Sequence, residues 1–212
     1  DNTDKATTHG NTYIPADGHN QWSQHQGTIG LTQGKWYYET YIDSRSASYG
    51  LTVLIGFHTF KGEYNYVSTL YDSTGSENPA LWYLGAGNFY TYDSGSRDID
   101  SGIIDCGVSQ VGEFLGVALN LDDKEISFYI DGSAATGGTD LALNDLGDDA
   151  DAGIFVMPTL SSYDNNHTVN FGGHTKATIS SAQTDENGYG TFEHAPPSGY
   201  YAICTKNLAE FG

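Results

Sequence analysis

Val117-Ala-Leu-Asn-Leu-Asp-Asp-Lys-Glu-Ile-Ser-Phe-Tyr-Ile-Asp-Gly132 contains two segments of alternating hydrophobicity that flank a polar turn. Leucines alternate with small or polar residues before Asp122-Asp123-Lys124, and Ile126, Phe128 and Ile130 alternate with polar residues after it. A period of two predicts β-strands with one apolar face. Because such a face must be covered by a second layer, the stretch predicts a hairpin within a packed sheet structure.

The composition favours one large all-β domain. The chain has 212 residues, of which 27 are glycine and 16 are tyrosine, so turn-permissive and strand-favouring residues are abundant. No window of ten or more residues shows a helical apolar period. We therefore expect very little helix.

Further strands are predicted along the chain. Gly34–Ile42 alternates strictly, and Leu51–Phe57 is a continuous apolar run suited to a strand buried on both faces near the centre of a sheet. Ser133–Asp151 is predicted to be a long loop without structure of its own, which is uncommon in a compact domain and indicates either a functional loop or a mobile excursion. The remaining predicted strands are Tyr64–Tyr71, Ala80–Leu84, Asn88–Tyr92, Ile154–Leu160, His167–Phe171, Tyr189–Phe192 and Gly199–Cys204. The predicted organisation is a polar lead-in with short strands packing on the domain (1–33), the domain itself (34–205) and a C-terminal linker (206–212).

Charge excludes several classes of partner. There are 27 acidic and 8 basic side chains, which give a formal net charge of −19 and disfavour nucleic acid and membrane surfaces. The acidity indicates solubility or, alternatively, an acidic binding surface. The chain has no long apolar run and no signal peptide, and it begins at Asp1 with Met157 as its one methionine, which indicates a piece of a longer polypeptide. Cys106 and Cys204 leave the disulfide state open.

Three blocks of sequence resemble the SPRY domain family. Gly34-Lys-Trp-Tyr-Tyr-Glu39 resembles its opening signature, the hairpin of Leu115–Gly132 its central block, and Pro158-Thr-Leu-Ser with Val169-Asn-Phe-Gly172 its closing block. The blocks occur in the order of the family. The resemblance implies an antiparallel β-sandwich of two sheets, of the concanavalin-like jelly-roll type, that is noncatalytic and recognises ligands through loops at one rim.

The tail adds a narrower resemblance. Ala195-Pro-Pro-Ser-Gly-Tyr-Tyr-Ala-Ile-Cys-Thr-Lys-Asn-Leu208 is similar to the closing segment of SPRY-like domains in bacteriophage virion proteins. A convergent proline turn followed by a strand and a linker is the alternative. The phage resemblance implies a location on the virion surface, within a larger homo-oligomeric assembly.

Motifs for catalysis are absent. The Glu-x-Asp-x-x-Glu spacing of sandwich-fold glucanases, the Gly-x-Ser-x-Gly elbow, the phosphate-binding glycine loop and His-Glu-x-x-His do not occur. We therefore predict no catalytic residues and no cofactor. Asp148, Asp149 and Asp151 have the oxygen ligands that calcium prefers, but they lack the downstream bidentate glutamate of a helical calcium loop, and a solvated acidic loop is the favoured interpretation.

Tyrosines give the one signal for ligand binding. They lie in or beside predicted loops among asparagine, serine and glycine, a mixture that offers rigid apolar faces and hydrogen-bonding groups at small entropy cost. Cross-strand packing is the alternative role for these rings. The predicted rim-loop ligand contacts are Tyr49, Tyr64, Tyr66, Tyr90, Tyr92, Arg97, Tyr163 and Asn165.

Three functions follow from these observations. The first is a noncatalytic recognition module of a phage tail fibre, spike or surface decoration that binds a host-surface glycan or protein. The second is a purely structural virion protein that contacts neighbouring virion subunits. The third is a cellular SPRY adaptor that binds a peptide.

Overall fold

The structure is a computed structural model that describes residues 10, 12–16, 22–60, 79–93, 96–100, 102–104 and 111–212, with the backbone alone at residues 24, 60, 92, 93, 96 and 97. Strands provide most of the regular structure, as the alternating sequence predicts. In chain order the elements are β1 (Tyr13–Ile14), β2 (Trp22–Gln26), β3 (Lys35–Ser44), β4 (Val53–Phe60), β5 (Pro79–Tyr83), β6 (Asn88–Asp93), β7 (Ser96–Asp100), β8 (Phe114–Asn120), β9 (Glu125–Ile130), β10 (Ser133–Ala134), β11 (Leu141–Ala142), α1 (Asp145–Asp151), β12 (Phe155–Tyr163), β13 (Asn166–Asn170), β14 (Tyr201–Ala202) and α2 (Thr205–Phe211).

The strands form two sheets that face each other across a shared apolar core. One sheet has eight strands in the order β1-β13-β3-β8-β9-β10, with β11 also paired to β9 and β14 to β3. The other has six strands in the order β2-β12-β4-β5-β6-β7. The pairings of the described strands are antiparallel, apart from the short parallel contact of β14 with β3. The predicted class, an antiparallel β-sandwich with very little helix, is confirmed.

The hairpin quoted first forms β8 and β9 at the centre of the core. Val117 lies opposite Phe128 and Leu119 opposite Ile126, and all four side chains are fully buried. The ring of Trp82, from the facing sheet, lies 5.3 Å from the ring of Phe128. Since burying a large apolar side chain stabilises a fold by about 1.5–3 kcal/mol, this hairpin is a principal source of the cohesion between the sheets.

A tyrosine hydroxyl links the two sheets inside the core. Trp36, Tyr38 and Ile42 point inward from β3, and the Tyr38 hydroxyl donates to the Gly56 carbonyl (2.9 Å) and accepts from the Gly56 amide (3.0 Å). Gly56 has φ +151°, and a Cβ atom there would collide with the carbonyl oxygen of Ala80 on the next strand. Strand β4 lies between β12 and β5, so its predicted central position is confirmed.

A buried carboxylate fastens the C-terminal segment (residues 172–204) to the outer face of the eight-stranded sheet. Glu39 on β3 is fully buried, and its two carboxylate oxygens accept hydrogen bonds from the backbone amides of Glu193 (2.9 Å) and His194 (2.8 Å). Burial raises the pKa of Glu39, and these hydrogen bonds lower it in part. Glu39 thus fastens the segment to β3 together with the β14–β3 pairing and the packing of Phe192 on Tyr37.

The predicted long loop Ser133–Asp151 contains regular structure. Strands β10 and β11 pair with β9, and helix α1 ends the segment. Leu143 and Leu146 are fully buried in the core, which fixes the segment against the sandwich. The prediction is wrong because elements of two to seven residues are too short to produce a recognisable hydrophobic period.

The predicted linker 206–212 also differs from the structure, because most of it belongs to helix α2. The ring of Phe211 stacks on Tyr201 with centroids 4.1 Å apart, and Leu208 packs against the main core. A helix of seven residues has too few apolar positions to be recognised in sequence.

Other sequence predictions have mixed outcomes. The strand expected at Tyr64–Tyr71 and the side chain of Cys106 lie outside the described residues. The strand expected at Tyr189–Phe192 is reduced to one bridge between Gln183 and Phe192, and the strand expected at 199–204 is reduced to β14. Among the residues that the structure describes, no helix has the length and apolar character needed to cross a membrane.

Candidate functional site

The outer face of the six-stranded sheet carries a second apolar cluster, separate from the core. On β5, Ala80 and Trp82 face the core, whereas Leu81 and Tyr83 belong to the outer face. The same alternation on the neighbouring strands brings further apolar side chains to this outer face. The outer cluster consists of Leu54, Leu81 and Tyr90, with Trp22, Tyr83 and Ile99 packed against them.

Five aromatic rings on and beside this face form a continuous row, which we call the outer aromatic band. Its successive ring centroids are separated by 4.8 Å (Tyr49–Tyr163), 5.8 Å (Tyr163–Trp22), 6.4 Å (Trp22–Tyr83) and 6.3 Å (Tyr83–Tyr90). These distances are typical of edge-to-face and tilted aromatic contacts. Tyr49 is 46% exposed and Tyr90 is buried, so the band runs from solvent to the interior of the outer cluster.

Asn165 holds the exposed end of the band in place. This residue lies in the turn between β12 and β13 and is fully buried. Its Oδ1 accepts from the Ser46 amide (3.1 Å), and its Nδ2 donates to the Tyr163 carbonyl (2.6 Å) and to Thr52 Oγ1 (2.8 Å). These bonds join the β3–β4 loop, which carries Tyr49, to the turn that follows Tyr163. Asn165 was predicted to contact ligand, but its burial and its occupied amide give it a positioning role.

The surroundings of Tyr163 favour the neutral form of its hydroxyl. Partial burial, the adjacent Tyr49 and the charge of Asp164 raise the pKa of Tyr163. Asp164 has φ 57° in the tight turn, and its carboxylate accepts a hydrogen bond from the Ser46 hydroxyl (3.3 Å). The exposed end of the band thus offers ring faces, a phenolic donor and a carboxylate acceptor within one short turn.

Of the five remaining predicted contacts, the structure describes only the side chain of Tyr90. Tyr90 lies in β6 and is buried, and Tyr92 and Arg97 are register partners in the β6–β7 pairing, where only their backbone is described. Tyr64 and Tyr66 lie outside the described residues. The structure therefore brings Tyr49, Tyr163 and Tyr90 into one row on a sheet face.

Sequence reasoning missed two members of the band. Trp22 lies in the polar lead-in, where β2 pairs with β12, and Tyr83 ends a strand that was recognised without assigning its faces. The signal for Tyr83 was the alternation with the inward-facing Trp82. No such signal exists for Trp22, because the other side chains of its strand are polar.

The three aspartates considered for calcium lie on or at the end of helix α1 and not in a loop. Lys124 Nζ lies 2.8 Å from Asp148 Oδ1 and 2.6 Å from Asp151 Oδ2, so an ammonium group already neutralises two of the carboxylates. Within the described ranges, no group of three or more histidine, cysteine, aspartate or glutamate side chains is arranged to hold a metal ion. Calcium binding by Asp148, Asp149 and Asp151 stays a prediction.

Comparison with known proteins identifies the fold. No family model and no curated protein matches the chain. The crystal structure of the SPRY domain of human HERC1 matches it with a TM-score of 0.55 and 16% sequence identity, over 77% of this chain and 90% of that one. The chain has a SPRY-type fold. At this level of identity the likeness establishes the SPRY-type sandwich alone, and the phage resemblance of the tail stays a prediction.

Proposed function

We propose that the chain is a noncatalytic recognition domain whose outer aromatic band binds a glycan or a protein on the surface of a host cell. The observation that carries the proposal is the unbroken row of ring contacts from the 46% exposed Tyr49 through Tyr163 to Trp22 and Tyr83. Sugar rings and apolar peptide side chains both pack on such rings, and the phenolic hydroxyls add hydrogen bonds that fix orientation.

The site is preorganised, which favours binding over a purely packing role for the exposed rings. Asn165 ties the Tyr49 loop to the Tyr163 turn through buried hydrogen bonds, so little ordering is required when a ligand arrives. The net charge of −19 disfavours polyanionic ligands, and a neutral glycan or a protein surface is therefore the expected class.

The proposed setting is the surface of a phage virion, as a tail-fibre, spike or decoration domain. Its support is the resemblance of Ala195–Leu208 to virion SPRY-like domains. Many copies on one particle would convert a modest affinity at each site into firm attachment through avidity. This setting also accounts for a recognition domain that has no catalytic motif, because attachment alone is the required activity.

Binding of the purified chain to a glycan array and to intact bacterial cells tests the proposal. We expect Tyr49→Ala and Tyr163→Ala to weaken binding about tenfold or more each, because loss of an aromatic contact at a binding hot spot costs at least ~1–2 kcal/mol. Tyr189→Ala, which removes a half-buried tyrosine from the C-terminal segment, is the matched control and should bind normally.

Prior treatment of the cells with glycosidase or protease separates a glycan ligand from a protein ligand. Equal binding by the tyrosine variants and the unaltered chain would refute the band as the site. Failure to bind any glycan or cell would instead favour contacts with neighbouring virion subunits.

A further inference from the structure

A polar groove of about 630 Å³ lies on the outer face of the eight-stranded sheet, whereas the outer aromatic band lies on the six-stranded sheet. Its floor is the outer face of β3 and β8, and one wall is formed by residues 176–180 and 193–194 of the C-terminal segment. The turn after β9 closes the end with Asp131. The groove therefore exists because the C-terminal segment is held against this sheet.

Aromatic side chains form the floor of the groove. Tyr41 and Phe114 are register partners on β3 and β8, with ring centroids 4.9 Å apart. The imidazole of His194 meets the Phe114 ring edge-on at 6.1 Å. A cation placed above such rings is attracted by their negative faces, and a planar guanidinium also stacks on them.

The three carboxylates of the groove differ in how many of their oxygens already accept hydrogen bonds. Asp43 bonds Lys176 and the Thr168 hydroxyl, and Glu193 accepts hydrogen bonds from Ser180. Asp131 uses one oxygen, Oδ1, to accept from the Phe114 amide (2.9 Å) and to approach His194 Nε2 (3.7 Å). Its side chain is 52% exposed, so Asp131 is the carboxylate with an oxygen available to a ligand.

Asp131 also lies close enough to a neighbouring acid to interact with it. Burial and, to a smaller extent, repulsion by the charge of Asp131 raise the pKa of Glu113. A bound cation would relieve this repulsion.

One ammonium group in the wall of the groove is already bound between a carboxylate and an aromatic ring. Lys176 Nζ lies 3.0 Å from Asp43 Oδ1 and 3.6 Å from the centroid of the Tyr13 ring. This carboxylate-and-ring pair is internal to the chain, whereas Asp131 with Phe114 and Tyr41 supplies a comparable pair that faces the open groove.

We propose that this groove is a second binding site, which takes the positively charged side chain of an arginine or a lysine from a peptide. The cationic group contacts the free oxygen of Asp131, and the methylene stem lies on the Tyr41 and Phe114 rings. The site is independent of the proposed function of the outer aromatic band, and it gives the acidity of the chain a specific recognition role.

Titration of the full chain with the peptide acetyl-Gly-Arg-Gly-amide, followed through backbone amide chemical shifts, tests the proposal. The Phe114 amide should move most, because it donates to Asp131. Asp131→Asn should weaken binding about fivefold or more, given the value of a hydrogen bond to a charged group. Asp98→Asn removes an exposed carboxylate from the other sheet and is the matched control.

Two further measurements complete the test. The peptide with citrulline in place of arginine should not shift these amides, and raising the salt concentration from about 0.01 M to about 1 M should weaken binding, because the Debye length falls from roughly 30 to 3 Å. The proposal is overturned if millimolar peptide leaves the amides of Gly112, Phe114 and Ala177 unmoved, if citrulline binds equally, or if Asp98→Asn weakens binding as much as Asp131→Asn.

Discussion

Replacing Asn165 separates a positioning role from direct ligand contact at the outer aromatic band. The Asn165 side chain makes four hydrogen bonds, which connect Ser46, Thr52 and Tyr163 inside a fully buried turn. Each bond contributes about 0.5–1.5 kcal/mol net, and truncation also leaves the buried Ser46 amide without its partner. We therefore expect Asn165→Ala to lower the free energy of unfolding by about 2–4 kcal/mol.

Equilibrium unfolding in urea measures this loss as a lower midpoint with an unchanged slope. Asn165→Asp is the graded comparison, because it keeps the acceptor for the Ser46 amide and removes the donors to Thr52 and Tyr163. Amide hydrogen exchange should quicken at Ser46 in the alanine variant and stay slow in the aspartate variant. Our reasoning fails if Asn165→Ala costs less than about 1 kcal/mol yet abolishes binding, since that result would make Asn165 a ligand contact.

Three further predictions concern stability. Burial lowers the pKa of His58 to about 4, so below about pH 6.5 the unfolded chain binds a proton that the folded chain does not. The free energy of unfolding should therefore fall by up to about 3 kcal/mol as the pH is lowered towards 4. Urea unfolding of His58→Gln at the same pH values should lack this His58-dependent loss of stability. Burial raises the pKa of Glu39, so the stability linked to its protonation is fully present below its ordinary pKa and is lost as the pH rises through the pKa of the folded state. Lowering the pH should therefore increase the free energy of unfolding of the unaltered chain relative to that of Glu39→Gln. Phe211→Ala removes a ring whose centroid lies 4.1 Å from that of Tyr201 and should lower the free energy of unfolding by about 1–2 kcal/mol. Limited proteolysis should then cleave the variant near α2 earlier than the unaltered chain. Unchanged stability and cleavage would show that this stack does not hold the helix.

The two outer faces of the sandwich carry different kinds of side chain. The six-stranded sheet presents aromatic rings around Tyr163, and the eight-stranded sheet presents a groove whose available carboxylate is Asp131. The ligands that we propose for the two faces differ in charge, and the two proposals together predict that both ligands bind at once without competition.

The sequence alone determined the strands that build the core. Alternation in the hairpin around Asp122-Asp123-Lys124 and in Gly34–Ile42 specifies which side chains turn inward, since the side-chain period of a strand is two. The burial of Trp36 and Phe128 follows from it. The position of β4 between two neighbours could likewise be predicted, because only a strand covered on both faces tolerates a continuous apolar run.

Only the tertiary structure decided where the sites lie. Tyr163 meets Trp22 because β2 pairs with β12 in one particular register, a contact 141 residues apart in the chain that no local pattern encodes. Burial of Asn165 likewise depends on a loop from another part of the chain. Strand pairing and loop closure are long-range events, whereas periodicity is a local property, and for this reason the core was predictable and the surface that the strands assemble was not.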